Sequence, residues 1–138
     1  MKDKFTALGL EQVVEFIHFG LTSQDINNTA VPMMYRDGIN EVILPALNQV
    51  LDKIKSRAEE WSTVPMLAKT HGQPASPTRL GKEFDVFVSR LSSQLDLLSN
   101  IPFAAKFGGA TGNMNAHYVA FPAIDWNTFA NNLVSKNL

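Results

Sequence analysis

The chain has 138 residues, 12 Lys and Arg against 13 Asp and Glu, a net charge of −1 and no cysteine. That near-balance offers no basic footprint for nucleic acid and no cationic face for a membrane, and the lack of thiols excludes a disulfide framework or a thiolate metal site. No apolar run approaches the roughly 18 residues of a membrane span, and Met1–Phe5 lacks the apolar core of a secretory signal, so a soluble, cytoplasmic chain is expected.

Taken in chain order, residues 8–19 predict a short apolar-rich helix through Leu8, Leu10, Val13, Val14, Phe16 and Ile17, broken at Gly20. Thr22 is placed as a helix N-cap, with Asp25 three residues on in the manner of a capping box. A long helical segment is expected to follow, to about Trp61. Ile43, Leu47, Val50, Leu51, Ile54, Ala58 and Trp61 recur in it at steps of three and four. Pro32, Gly38 and Pro45 interrupt the pattern and predict kinks, or a break near Asp37-Gly38.

Ser62–Ser76 reads as a connection, with Ser76 capping a helix that begins at Pro77 and runs to about Ser99. Leu80, Phe84, Phe87, Leu91, Leu95 and Leu98 give this helix one apolar stripe. It is a packing surface that favours self-association if left uncovered. Pro102 and Gly108-Gly109 mark a loop, and a last helix is expected over Ile124–Val134 with Asp125 near its start. No strong strand signal stands out. The pattern predicts an all-α fold of long helices, the two longest packed antiparallel.

Three polar turns interrupt the helices: His18–Asp25, Thr70–Thr78 and Gly108–Asn113. In the second, Thr70-His71-Gly72-Gln73-Pro74-Ala75-Ser76-Pro77-Thr78, a single histidine sits among Gly and Pro. Such a bend can hold one imidazole at a fixed place, and histidine titrates near neutral pH. Thr22 and Ser23 present hydroxyls and N–H groups at a helix N-terminus, an arrangement suited to an anion, although capping alone also accounts for it. The Gly108–Asn115 loop could cradle a phosphate or carboxylate. It lacks the Lys-Ser/Thr ending of a P-loop and does not match G-x-G-x-x-G, and a plain turn is the better reading of it by itself. His18 and His117 form no recognisable ligand motif with His71 and read as hydrogen-bonded structural histidines. Lys106 reads as a solvated lysine.

Together these three stretches resemble the adenylosuccinate lyase family of the fumarase/aspartase superfamily, from Glu15 to Trp126. The Thr70–Thr78 run is the specific part. Other superfamily members usually carry Leu after this histidine, so Gly72 points to the purine enzymes of bacterial type. Thr22–Asn28 and Gly112–His117 agree with that choice. Lys69 stands where many relatives have Arg, which loses a bidentate fork.

The resemblance implies elimination of fumarate from adenylosuccinate and from the succinylated aminoimidazole carboxamide ribonucleotide, with neither metal nor cofactor. His71 is then the general acid, and Thr22, Ser23, Thr70 and Gln73 contact the purine nucleotide substrate. It implies a homotetramer whose core is a shared helical bundle, with residues 1–21 ending an N-terminal domain and 22–138 forming part of the central bundle. The family's Ser-Ser-x-Met-Pro-x-Lys loop, which carries the serine thought to act as base, does not occur among these residues. The chain is therefore expected to be a central fragment that is inactive alone. Two other readings compete. One is a non-catalytic helical oligomerisation module whose polar turns are only caps. The other is a different lyase of the superfamily, such as an argininosuccinate lyase.

Overall fold

The computed structural model describes residues 1–138 and is dominated by helix, as the periodicity predicts. The α-helices are α1 (Lys2–Ala7), α2 (Ser23–Gly38), α3 (Leu44–Glu60), α4 (Leu80–Ser99), α5 (Asn115–Ala120) and α6 (Trp126–Asn137). A 3₁₀ segment spans Glu11–His18, and a π-helical turn spans Ile39–Ile43. The strands β1 (Pro65–Thr70) and β2 (Gln73–Arg79) form a single antiparallel sheet. No helix is long and apolar enough to cross a membrane. The chain divides into two compact units, one of residues 1–36 and 103–138, the other of residues 37–102.

The first unit is organised around aromatic rings. Met114, Trp126 and Ala130 are buried, with Phe107 packed against them. Trp126 meets Phe129 edge-on at 5.4 Å, and Phe107 meets Phe129 at 5.6 Å. Such T-shaped contacts set the negative face of one ring against the positive edge of the next. The Trp126 indole N–H donates to the Phe121 carbonyl at 3.1 Å. The last helix starts where the sequence puts it: Asp125 is the N-cap and accepts from the Thr128 N–H at 3.0 Å. The expected helix over 8–19 is instead the 3₁₀ segment Glu11–His18, and α1 precedes it, with Gly9 between the two. The short α5 is not visible as periodicity.

In the second unit, the expected interruption near Asp37-Gly38 is the π-helical turn. Pro45 has no N–H and its ring crowds the carbonyl four residues back, so the ladder widens over Ile39–Ile43 before α3 resumes regular pitch. Pro32, in contrast, is accommodated inside α2 without ending it. Leu51 and Ala58 of α3 and Leu95 of α4 are buried. The Trp61 ring meets Phe84 edge-on at 4.9 Å. The apolar stripe of α4 is only partly covered, and Phe87 is 60% exposed.

The connection between these helices corrects the sequence reading. Ser76 and Pro77 do not cap a helix; they lie in β2, and α4 begins at Leu80. Leu80 N–H donates to the Val64 carbonyl and Gly81 N–H to the Trp61 carbonyl, both at 3.0 Å. These bonds close the hairpin base and set the start of α4 beside the end of α3, so the two helices run antiparallel. Gly81 is required there. A Cβ at this position would lie 2.1 Å from the Ala58 carbonyl oxygen and 2.7 Å from the Ser62 nitrogen, both backbone atoms. Gly81→Ala is therefore expected to destabilise the protein by about 3 kcal/mol through overpacking. Denaturant unfolding of the two proteins measures the difference, and equal midpoints would show that the helices separate freely.

Candidate active-site segments

The five residues expected to form the site fall into the two units. Thr22 and Ser23 belong to the first, Thr70, His71 and Gln73 to the second. Within the second unit the hairpin gathers its three. Thr70 pairs with Gln73 across the ladder, and His71-Gly72 is the two-residue loop between them. Both loop residues have positive φ, 48° at His71 and 75° at Gly72. That is the signature of a type I′ turn, whose twist matches that of the strands it joins. Glycine holds the second position without strain, while His71 is one of only two non-glycine residues with positive φ. Non-glycine residues in this region tend to cluster at functional sites. The His71 side chain is exposed at the tip, as are Thr70 and Gln73.

Within the first unit the turn before α2 meets the Gly108–Asn113 loop. The capping box is present as expected. Thr22 N–H donates to Asp25 Oδ2 at 2.9 Å, and Asp25 N–H returns to Thr22 Oγ1 at 3.4 Å. The Thr22 hydroxyl also donates to Asp25 Oδ2 at 3.1 Å. Ser23, by contrast, is exposed. The same Asp25 carboxylate reaches the distant loop. Its Oδ1 accepts from Lys106 Nζ at 2.8 Å, Gly108 N–H at 3.0 Å and Gly109 N–H at 3.2 Å. Lys106 also donates to the Gly109 carbonyl. Lys106 is thus ion-paired rather than solvated.

Burial pushes the Asp25 carboxyl up, but Lys106 and the N–H groups of Thr22 and Gly108 outweigh it and hold the group well below the usual carboxylate range. Asn113 ties the far end of the loop, its Oδ1 accepting from the Thr111 hydroxyl at 2.7 Å and from Asn115 N–H at 3.2 Å.

A cavity of about 310 Å³ lies between turn and loop, lined by Leu21, Thr22, Gly108, Thr111, Asn113 and His117 among others. His117 is buried, its Nε2 2.6 Å from the Gly20 carbonyl, so that nitrogen carries the proton and donates. Its Nδ1 is buried without a partner. The structural reading of His117 therefore holds, whereas His18 is exposed at the end of the 3₁₀ segment.

The residue that sequence reasoning undervalued is Asp25. Its capping role follows from spacing, but its bonds to Lys106, Gly108 and Gly109 span 81 to 84 residues and leave no local signal.

A helical chain with a capped helix end at Thr22 and an imidazole at a positive-φ hairpin tip is matched among the lyases. The chain is a member of the lyase family, whose model matches residues 4–136. It is similar to the adenylosuccinate lyase of Dictyostelium discoideum, 53% identical over 90% of this chain and 27% of that protein. The adenylosuccinate lyases of Vibrio cholerae and Escherichia coli K12 are each 42% identical, over 100% and 92% of the chain and 30% and 28% of those proteins. The chain thus spans less than a third of the length of these relatives. Among solved structures, the 3-carboxy-cis,cis-muconate lactonizing enzyme of Pseudomonas putida superposes with a TM-score of 0.72 at 26% identity, over 83% of this chain and 26% of that one.

The acid dependence of stability follows from Asp25. A carboxyl whose folded pKa is depressed stabilises the fold above its unfolded titration, and that stability is lost as pH falls through the folded value. Melting curves from about pH 7 down to about pH 1 should show Asp25→Asn less stable than the parent at neutral pH and less sensitive to acid below about pH 5. Parallel curves for the two proteins would show that the carboxylate is not the acid-sensitive group.

Proposed function

We propose that this chain is a segment of an adenylosuccinate lyase, a C–N lyase of purine biosynthesis. The substrates are adenylosuccinate and the succinylated aminoimidazole carboxamide ribonucleotide, and fumarate is the common product. The observation that carries the reading is the Thr70–Gln73 hairpin tip, which presents an exposed imidazole in strained backbone between two hydrogen-bonding side chains. The identity to adenylosuccinate lyases along nearly the whole chain supports it.

Elimination across the bond to the leaving nitrogen needs a base for the proton beside a carboxylate, an acid for the departing nitrogen, and fixed donors for the anionic intermediate. In this reading His71 is the acid. The base removes a carbon-bound proton, the electron pair forms the double bond of fumarate, the C–N bond breaks, and His71 delivers its proton to the purine N6 nitrogen or its counterpart in the smaller substrate. Thr70 and Gln73 orient the imidazole or meet a substrate carboxylate. Ser23, whose hydroxyl is exposed at the N-terminus of α2, donates to a substrate anion, with Thr22 beside it. No residue of the chain takes the part of the base, which belongs elsewhere in the enzyme. The reaction uses no metal or cofactor.

The same reading assigns residues 1–21 to the end of an N-terminal domain and 22–138 to the central bundle of a cytoplasmic homotetramer. Exposed apolar side chains on α4, Phe87 at 60% and Leu97 at 63%, support burial against other helices in that assembly.

Type I′ turns favour Asn at the position of His71, so His71→Asn removes the imidazole while keeping the hairpin. In a full-length lyase carrying this segment, fumarate release from adenylosuccinate should fall about 10²–10⁴-fold in kcat, with circular dichroism unchanged. Undiminished turnover in the folded variant would remove His71 from the chemistry. The 138-residue chain alone should release no fumarate, and brisk His71-dependent release would show that it contains its own base.

A further inference from the structure

We propose that Asp25 is a positioning residue: it clamps the glycine loop of residues 106–113 to the turn that presents Thr22 and Ser23, and so fixes the wall of the substrate site. The proposal rests on the reading of that turn as substrate-binding.

A helix cap requires only one carboxylate oxygen, and Oδ2 fills that role through the Thr22 N–H and hydroxyl. The second oxygen is surplus to capping. It gathers the Lys106 ammonium and two successive backbone N–H groups from a loop more than 80 residues away. The two oxygens of one carboxylate therefore each hold one of the two turns that wall the cavity. Lys106 completes the ring by bonding the Gly109 carbonyl as well.

The Asp25 side chain is 0% exposed, so it does not touch substrate. Its influence passes through the groups it holds. The Thr22 hydroxyl hydrogen is committed to Asp25, which leaves Thr22 inside the clamp and Ser23 as the free hydroxyl at the turn. Releasing the loop would let the turn and the cavity wall drift, and a displacement of about 1 Å can cost about 10²-fold in a positioned site.

The test uses a full-length lyase carrying this segment, with kcat and KM for adenylosuccinate measured well below the melting temperature of each variant. Asp25→Asn and Lys106→Met are each expected to raise KM about 10–100-fold with a smaller change in kcat. The double variant is expected to be no worse than Asp25→Asn alone, because both remove one clamp. Lys106→Met keeps the test valid if Asp25→Asn does not fold. A folded Asp25→Asn protein with unchanged KM, or effects of the two substitutions that multiply independently, would overturn the proposal. Ser23→Ala separates the two claims, because Thr22 is itself part of the clamp. If it leaves KM unaltered, the substrate reading of the turn fails. If it raises KM while Asp25→Asn and Lys106→Met do not, the clamp alone fails.

Discussion

One buried carboxylate ties the turn before α2 to the loop that follows Lys106. Taking an ionised group out of water is costly unless paired and hydrogen-bonded, and Asp25 is both: a lysine, a hydroxyl and three backbone N–H groups converge on it. The requirement runs in both directions. The carboxylate needs these donors to stay charged inside the protein, and Gly108 and Gly109, themselves buried, need an acceptor for N–H groups that no helix or strand satisfies. The arrangement of turn, loop and cavity follows from meeting both demands with one side chain.

The second unit solves a different problem with glycine. At Gly81 the absence of a Cβ lets the start of α4 approach the backbone at the end of α3, which fixes where the hairpin emerges. At Gly72 the positive φ closes the ribbon in two residues. Between them these positions determine that Thr70, His71 and Gln73 cluster at an exposed tip. The imidazole is placed by backbone geometry rather than by packing, which leaves it open to solvent.

Much of this was readable in advance where the signal is local. The Thr22–Asp25 spacing announces a capping box, Asp125 announces the last helix, and Pro45 with Gly38 announces the disturbed stretch that becomes a π-helical turn. The hairpin was not readable as strands, because Pro65, Pro74 and Pro77 argue against a sheet and no clean alternation marks a buried face. A two-stranded ribbon has only edges, so the usual objection to proline does not apply. The register shift between Leu67 and Lys69 blurs the alternation further. The turns around residues 20, 71–72 and 108–113 were legible. The second role of Asp25 was not, since it depends on a loop brought close only by folding.

The prolines of the ribbon carry one more consequence. An uncovered strand edge invites foreign strands to add to it. Proline lacks the N–H such an addition needs, and in a ladder it sits where its nitrogen faces outward. Pro65 on one strand and Pro74 and Pro77 on the other leave gaps in both outer rows of donors. The ribbon can therefore stand out in solvent with its imidazole at the end and still resist templated sheet growth.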